Sequence, residues 1–262
     1  MHCRDELPSV LSSSDRFVEA TPAMDGPNLA PLPVRALLAV RRRGLRYACH
    51  KVLRRGLARW PDWKRRLLYA DPQDYWTLRG GDDYFREQEG QPARGERASW
   101  IAERIASYRP TSILEVGCGY GKQLRAIRNL CDVPMTGVDF SPSQLERGQD
   151  YLEGCDRIDL ILAPGQCLPF EDHSFDLVLT SAVILHNAPE VAEKIRREVV
   201  RVAKRFAAHN EDIDISYNRY GYDTADWYRQ QSLPLLEVAE IPAGTLAERS
   251  ASQFCVAGLW PD

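Results

Sequence analysis

No C-x-x-C pair occurs in this 262-residue chain, no histidine cluster accompanies its cysteines, and their number, seven, is odd. A structural zinc site and a disulfide framework are therefore not expected, and no metal is. The thiols at positions 3, 49, 118, 131, 155, 167 and 255 read as small core-filling groups in a reducing compartment. Long hydrophobic runs are missing too. The longest, such as Ala36 to Val40, are far too short to span a bilayer. Arg4, Asp5 and Glu6 are followed by no apolar core, so no secretory signal is expected and the chain is placed in the cytoplasm. No internal repeat recurs, which argues against a solenoid or propeller.

What is present is enough for a full core. With 44% hydrophobic residues, the length suits one domain of about 150 to 200 residues plus an appendage. The net charge of −3 conceals an asymmetry. Residues 35 to 66 hold twelve Lys or Arg and one acid, Asp62, which leaves 22 basic and 36 acidic residues elsewhere. Two differently charged parts are joined in one chain.

Residues 1–33, rich in Ser, Pro, Asp and Gly, read as a flexible arm. Over 34–68, Leu38, Leu45, Val52, Leu53, Leu57 and Trp60 recur at helical spacing among arginines, predicting a basic amphipathic helix or helix pair broken near Pro61. Three roles fit this segment: docking on the chain's own acidic domain, which we favour slightly, peripheral contact with an anionic membrane, and nucleic acid, the least favoured. Residues 69–97 bring Trp76, Tyr84 and Phe85 in a loop or short helix, so 34–97 is taken as a basic helical extension and acceptor-side lid.

From residue 98 onward strands and helices alternate. Strands are expected at Ser112–Val116, Met135–Asp139, Ile158–Leu162, Leu177–Thr180 and Arg205–Ala208, with helices at Ala98–Tyr108, Lys122–Leu130, Ser143–Leu152 and Ala188–Val202. That order means an α/β domain with a parallel, doubly wound sheet over 98–262. Leu235–Ile241 and Gln253–Leu259 are joined without an obvious helix, so they should pair antiparallel.

The strongest local feature is Ile113-Leu114-Glu115-Val116-Gly117-Cys118-Gly119-Tyr120-Gly121. A buried strand runs into alternate glycines, which let the backbone turn tightly and approach a ligand, with a helix N-terminus behind. No phosphate-binding Lys-Ser/Thr pair is present after the loop, and the glycine spacing fits the dinucleotide fingerprint poorly. Asp139 ends the next strand, where a carboxylate can accept both hydroxyls of a ribose. Its other reading is an acid at the following helix N-terminus. Then comes Leu168-Pro169-Phe170-Glu171-Asp172-His173-Ser174-Phe175-Asp176-Leu177-Val178.

With these motifs in this order, the chain resembles the class I, Rossmann-like S-adenosylmethionine-dependent methyltransferases over roughly residues 98–210. The resemblance implies a seven-stranded sheet whose last strand is inserted antiparallel, and S-adenosylmethionine as cofactor. It implies that Glu115 and the backbone of Gly117, Cys118, Gly119 and Gly121 hold the methionine part. Asp139 would take the ribose, Phe140 would cover the adenine, and Gly165 and Gln166 would meet its edge. Ser181 would lie beside the methyl group. Pro164 stands where the family often has an acid, which throws adenine recognition onto backbone groups or Gln166.

Neither N-P-P-Y nor a Pro-Cys pair is present, which argues against methylation of nucleic-acid bases. A small-molecule acceptor is expected, and O-methylation of a polar or glycosidic compound leads. Transfer to carbon or nitrogen of a quinone- or lipid-type metabolite, or a non-catalytic cofactor-binding scaffold, are the alternatives. His186 is the candidate base, since an imidazole titrates near neutrality; a helix-capping or cofactor-packing histidine is the competing role. Tyr217, Tyr220, Tyr222, Trp227 and Tyr228, with Asn218, Arg219, Asp223 and Asp226, suit a sugar's apolar faces and hydroxyls, or simply pack a lid.

Overall fold

The structure, a computed structural model, describes residues 32–241 and 252–259. The proposed arm at 1–33 falls almost wholly outside them, as does the loop joining the last two strands. The described residues divide into two compact units, one comprising 32–79 and the other 80–241 with 252–259.

The described part of the first unit is α1 (Leu32–Gly56), α2 (Pro61–Leu68) and α3 (Pro72–Arg79). Gly44, at φ 82°, interrupts the helical path of α1, and Pro61 starts α2, where a missing N–H costs nothing. Inside this unit Tyr75 packs edge-on against His50 and Tyr69.

The second unit opens with α4 (Asp82–Glu89) and α5 (Pro92–Ser107). Then follow β1 (Ile113–Val116), α6 (Lys122–Arg128), β2 (Met135–Asp139), α7 (Pro142–Tyr151), β3 (Ile158–Leu162) and β4 (Phe175–Ser181). A 3₁₀ turn at Ile184–His186 leads to α8 (Pro189–Val202), β5 (Ala203–Asp212), α9 (Thr224–Gln230), β6 (Leu235–Glu240) and β7 (Ser252–Gly258). The strands form one sheet in the order β3-β2-β1-β4-β5-β7-β6. Neighbours are parallel except that β7 runs antiparallel to both β5 and β6.

Strand alternation explains the layers. Leu114, Val116 and Val178 go to the face covered by Ile195, Val199 and Val202 of α8. Ile113, Leu177 and Leu179 go to the other face, under Ile101 and Ile105 of α5 and Leu124 and Ile127 of α6. Both faces of the central strands are thereby buried, so β1 is apolar but for Glu115.

The largest departure from expectation is β5. It runs four residues past Ala208 to Asp212, and His209, Asn210, Glu211 and Asp212 are all buried. A polar run at a strand's end reads as loop; here long-range hydrogen bonds satisfy it. α9 is a second departure, although Asp223 caps it by accepting the Asp226 N–H at 2.8 Å. Residues 80–97 pack with the sheet unit through α4 and α5. Cys49, Cys118, Cys131, Cys155 and Cys255 are free thiols.

Gly137 in β2 marks a close approach of helix and loop to the sheet. A Cβ there would stand 2.7 Å from Cys118 Sγ and from Leu124 Cδ1. Gly137→Ala should therefore cost about 1–3 kcal/mol by overpacking, read as a lower denaturation midpoint; unchanged stability would contradict this packing.

Candidate active site at the carboxyl edge of the sheet

The glycine loop leaves the end of β1. Gly117, Gly119 and Gly121 all have positive φ, at 71°, 58° and 83°, a region that penalises side chains. Gly117 is also hemmed in, since a Cβ would lie 2.4 Å from Val183 Cγ2. Gly119 is different: the nearest atom to its Cβ position is Gln144 Nε2 at 3.7 Å. The open side of the loop is thus at Gly119. The loop's N–H groups turn inward. Those of Gly117 and Cys118 donate to the Val138 carbonyl, and that of Gly121 donates to the Cys118 carbonyl. The Cys118 thiol points into the core, close to Gly137 and the Gly119 carbonyl, so that residue offers the site only backbone.

Around this loop stand three acceptor groups. Asp139 Oδ2 accepts the Gly119 N–H at 2.9 Å and Oδ1 accepts the Ser141 N–H at 2.8 Å. A carboxylate has about four lone-pair sites, so two remain for further donors. Burial raises its carboxyl to about 6, against the pull of those N–H bonds. Glu115 is fully buried, and burial together with the nearby Asp139 charge lifts it well above the usual range. Its Oε2 has no hydrogen-bond partner, nor has Gln144 Oε1 in the first turn of α7. Buried acceptors left bare cost roughly 1–3 kcal/mol each.

Other expected site residues gather at the same edge. Gly165 lies in a turn where Cys167 N–H bonds the Pro164 carbonyl, and a Cβ on it would meet Val116 Cγ1 at 2.9 Å. Gln166 is half-buried in that turn and Phe140 is half-buried directly after Asp139. Ser181 ends β4, one residue past the Val116–Thr180 pair, and its Oγ accepts from Asn210 Nδ2 at 2.7 Å.

Past Ser181 the chain makes the turn that carries His186. Ala182 sits at φ 56° and donates its N–H to the Asn210 carbonyl at 2.8 Å. Glu211 anchors this turn. Its carboxylate accepts the Val183 N–H at 3.1 Å, the Leu185 N–H at 3.2 Å and the Thr180 hydroxyl at 2.7 Å. With its one proton spent on Glu211, Thr180 Oγ1 must accept from His209 Nδ1 at 2.8 Å, so His209 Nε2 accepts from the Tyr228 hydroxyl at 2.7 Å. Burial lowers His209 to about 3 and lifts Glu211 to about 7.

His186 donates Nδ1–H to the Asn218 carbonyl at 2.6 Å, which leaves the lone pair on Nε2. Burial lowers its pKa to about 4, so the ring is neutral at ordinary pH. The segment after β5 is bonded to this turn twice more: Tyr220 N–H to the Leu185 carbonyl and Tyr222 hydroxyl to the Asn187 carbonyl. Of the aromatics expected as an acceptor lid, Tyr222 and Trp227 stack with buried Arg196, and Tyr228 is core. Tyr217 and Tyr220 remain half-exposed.

Gln144, Arg97 and the β5 tail escape sequence reasoning. Arg97 Nη2 reaches Asn210 Oδ1 and Ser252 Oγ, each at 2.7 Å, and Asp212 at 3.3 Å; Arg219 closes on Asp212 from its other oxygen at 3.1 Å. No local pattern announces pairs more than a hundred residues apart.

A parallel sheet with a glycine loop, a helix behind it and an acid at the end of β2 defines a Rossmann-like nucleotide-binding domain. Residues 113–205 match the family model described as a methyltransferase domain. Over those residues the chain is similar to methyltransferase domains. Among curated relatives, an O-methyltransferase of Aspergillus nomiae is 34% identical over 43% of this chain and 49% of its own length. A sterol 4-C-methyltransferase of Caenorhabditis elegans is 28% identical over 49% of this chain and 39% of its own. The chain thus spans about half or less of the curated relatives it matches. Among solved structures, the magnesium protoporphyrin IX methyltransferase of Synechocystis, which has bound cofactor, aligns with a TM-score of 0.53 at 14% identity, over 80% of this chain and 96% of its own. An N-methyltransferase of Bradyrhizobium japonicum aligns at 0.54 and 14%, over 64% and 97%. At such identities the likeness is one of fold.

Glu211 yields a pH prediction. Its carboxyl is raised from an unfolded value near 4.5 to about 7, so its contribution is fully present below about pH 4.5 and is lost as pH rises through 7. Relative to Glu211→Gln, the natural protein should therefore lose stability between those values, on the order of 3 kcal/mol. A pH-independent difference between the two would disprove the burial of a titrating carboxyl there.

Proposed function

We propose that this chain is an S-adenosylmethionine-dependent methyltransferase acting on an oxygen of a small polar acceptor, a sugar or glycoside being the class we favour. One observation carries the cofactor part. Glu115 Oε2 and Gln144 Oε1 are buried acceptors without donors, beside an Asp139 carboxylate with lone pairs to spare. Such a pocket calls for a ligand rich in donors, as an ammonium group and a ribose are. When bound, the cofactor supplies an electrophilic methyl on a sulfonium.

The chain's own residues then have separable tasks. Glu115 and the open backbone at Gly119 receive the amino-acid end, with Gly117, Cys118 and Gly121 shaping the loop. Asp139 takes the ribose hydroxyls. Phe140, Gly165 and Gln166 border the base, and Ser181 stands at the mouth of β4. His186 presents an unprotonated Nε2, oriented through Nδ1, which can hold an acceptor hydroxyl by hydrogen bond and take its proton as the new bond forms. At a pKa of about 4 it is a weak base, so orientation is the larger part of its work. The half-exposed Tyr217 and Tyr220 support a sugar's flat face.

Three measurements test this. Asp139→Ala should weaken S-adenosylmethionine binding by about 1.5–3 kcal/mol in calorimetry. In the natural protein, affinity should fall as pH drops below about 6, where Asp139 protonates and loses its acceptor charge. A flat profile from pH 5 to 8 would exclude Asp139 as the ribose ligand. His186→Asn should lower kcat by roughly a hundredfold while cofactor affinity holds. Equal turnover would leave His186 a structural residue.

A further inference from the structure

A surface helix ordinarily buries its apolar stripe and turns its charges to water. Beyond Gly44, α1 also leaves apolar side chains in water. Its buried positions are Tyr47, Ala48 and His50, while Leu45, Val52 and Leu53 are 67%, 60% and 42% exposed. At about 100° per residue these three share one side of the helix with Cys49, opposite the buried positions. Arg46 and Arg55, both exposed, border that stripe on its two flanks. α2 repeats the arrangement. Trp60, Trp63 and Leu67 are each 57% exposed and fall within one turn-to-turn row. Arg59 and Arg66 lie alongside, the Arg66 guanidinium 5.9 Å from the Trp63 ring. The two helices pack on each other, and Trp60 N–H bonds the Leu57 carbonyl in the short link between them.

We propose that residues 45–67 form a membrane-docking face whose occupant is the interface of an anionic lipid bilayer. This goes beyond the methyl-transfer reading and does not depend on it. The chemistry selects the occupant. An apolar stripe one helix wide, edged by arginines on both sides, matches a headgroup layer over an acyl boundary. Exposed tryptophans prefer that same depth. A nucleic acid would want the cations central and has no use for the stripe. A protein partner would bury a core depleted of charge rather than a strip fenced by it.

The test uses the full chain with vesicles of an equal mixture of phosphatidylcholine and phosphatidylglycerol. The protein should co-sediment with them, release at high salt, bind pure phosphatidylcholine at least about tenfold more weakly, and show a blue-shifted tryptophan emission when bound. The double variant Trp60→Ser, Trp63→Ser should lose about tenfold or more of this binding with its melting temperature unchanged. If its melting temperature moves, Val52→Ser with Leu67→Ser takes its place. No sedimentation at low salt, or equal binding by the variant, would overturn the proposal. So would displacement of the vesicles by duplex DNA, or a vesicle-independent dimer that the substitutions dissolve. S-adenosylmethionine affinity, measured in the same samples, reports separately on the methyl-transfer reading.

Discussion

The buried carboxylate of Glu211 is the interaction on which the carboxyl edge of the sheet around β4 and β5 rests. It sits at the end of β5 yet organises the turn after β4, gathering two backbone N–H groups and a hydroxyl. That turn places Val183 against Gly117 and carries His186. One side chain therefore joins the glycine loop to the turn after β4. A neutral apolar replacement would leave three buried donors bare, a larger penalty than the net gain from any single bond among them.

The same edge shows a division between groups already satisfied and groups that wait. Loop N–H groups are consumed inside the protein by Val138, Asp139 and Cys118. Glu115 and Gln144 keep acceptor atoms without donors. The glycines thus contribute clearance more than hydrogen bonds, and the acceptor atoms left without donors belong to a carboxyl and an amide. Burial raises the carboxyls of Asp139 and Glu115, which makes an incoming cation or hydroxyl pair worth more than it would be in water.

How much of this is legible in the sequence depends on how local each signal is. The glycine loop, Glu115 and Asp139 stand within one βαβ unit, and β1 and β4 stand out as apolar runs because both faces of each are buried. The antiparallel end strands are legible from the missing helix between them. β5 beyond Ala208 is not, since His209 to Asp212 look solvated until Thr180, Arg97 and Ser252 are brought to them from distant positions. Asp223 reads as a lid residue in the sequence, yet it also caps a helix. For the aromatic lid, packing takes more of the candidates than the sequence alone suggests: Tyr228 hydrogen-bonds His209, and Tyr222 and Trp227 flank Arg196.

The antiparallel insertion of β7 has a kinetic meaning. β5 and β6 never touch; each meets only β7 on that side, so neither gains this row of ladder bonds until the later strand has been made. Ser252, at the start of β7, also accepts from Arg97 and donates to Asp212. During synthesis on the ribosome the five preceding parallel strands can assemble while β6 waits with an open edge, and the end of β5 acquires its final polar lock only with β7. High contact order of this kind slows folding, and it ties completion of the site to completion of the sheet.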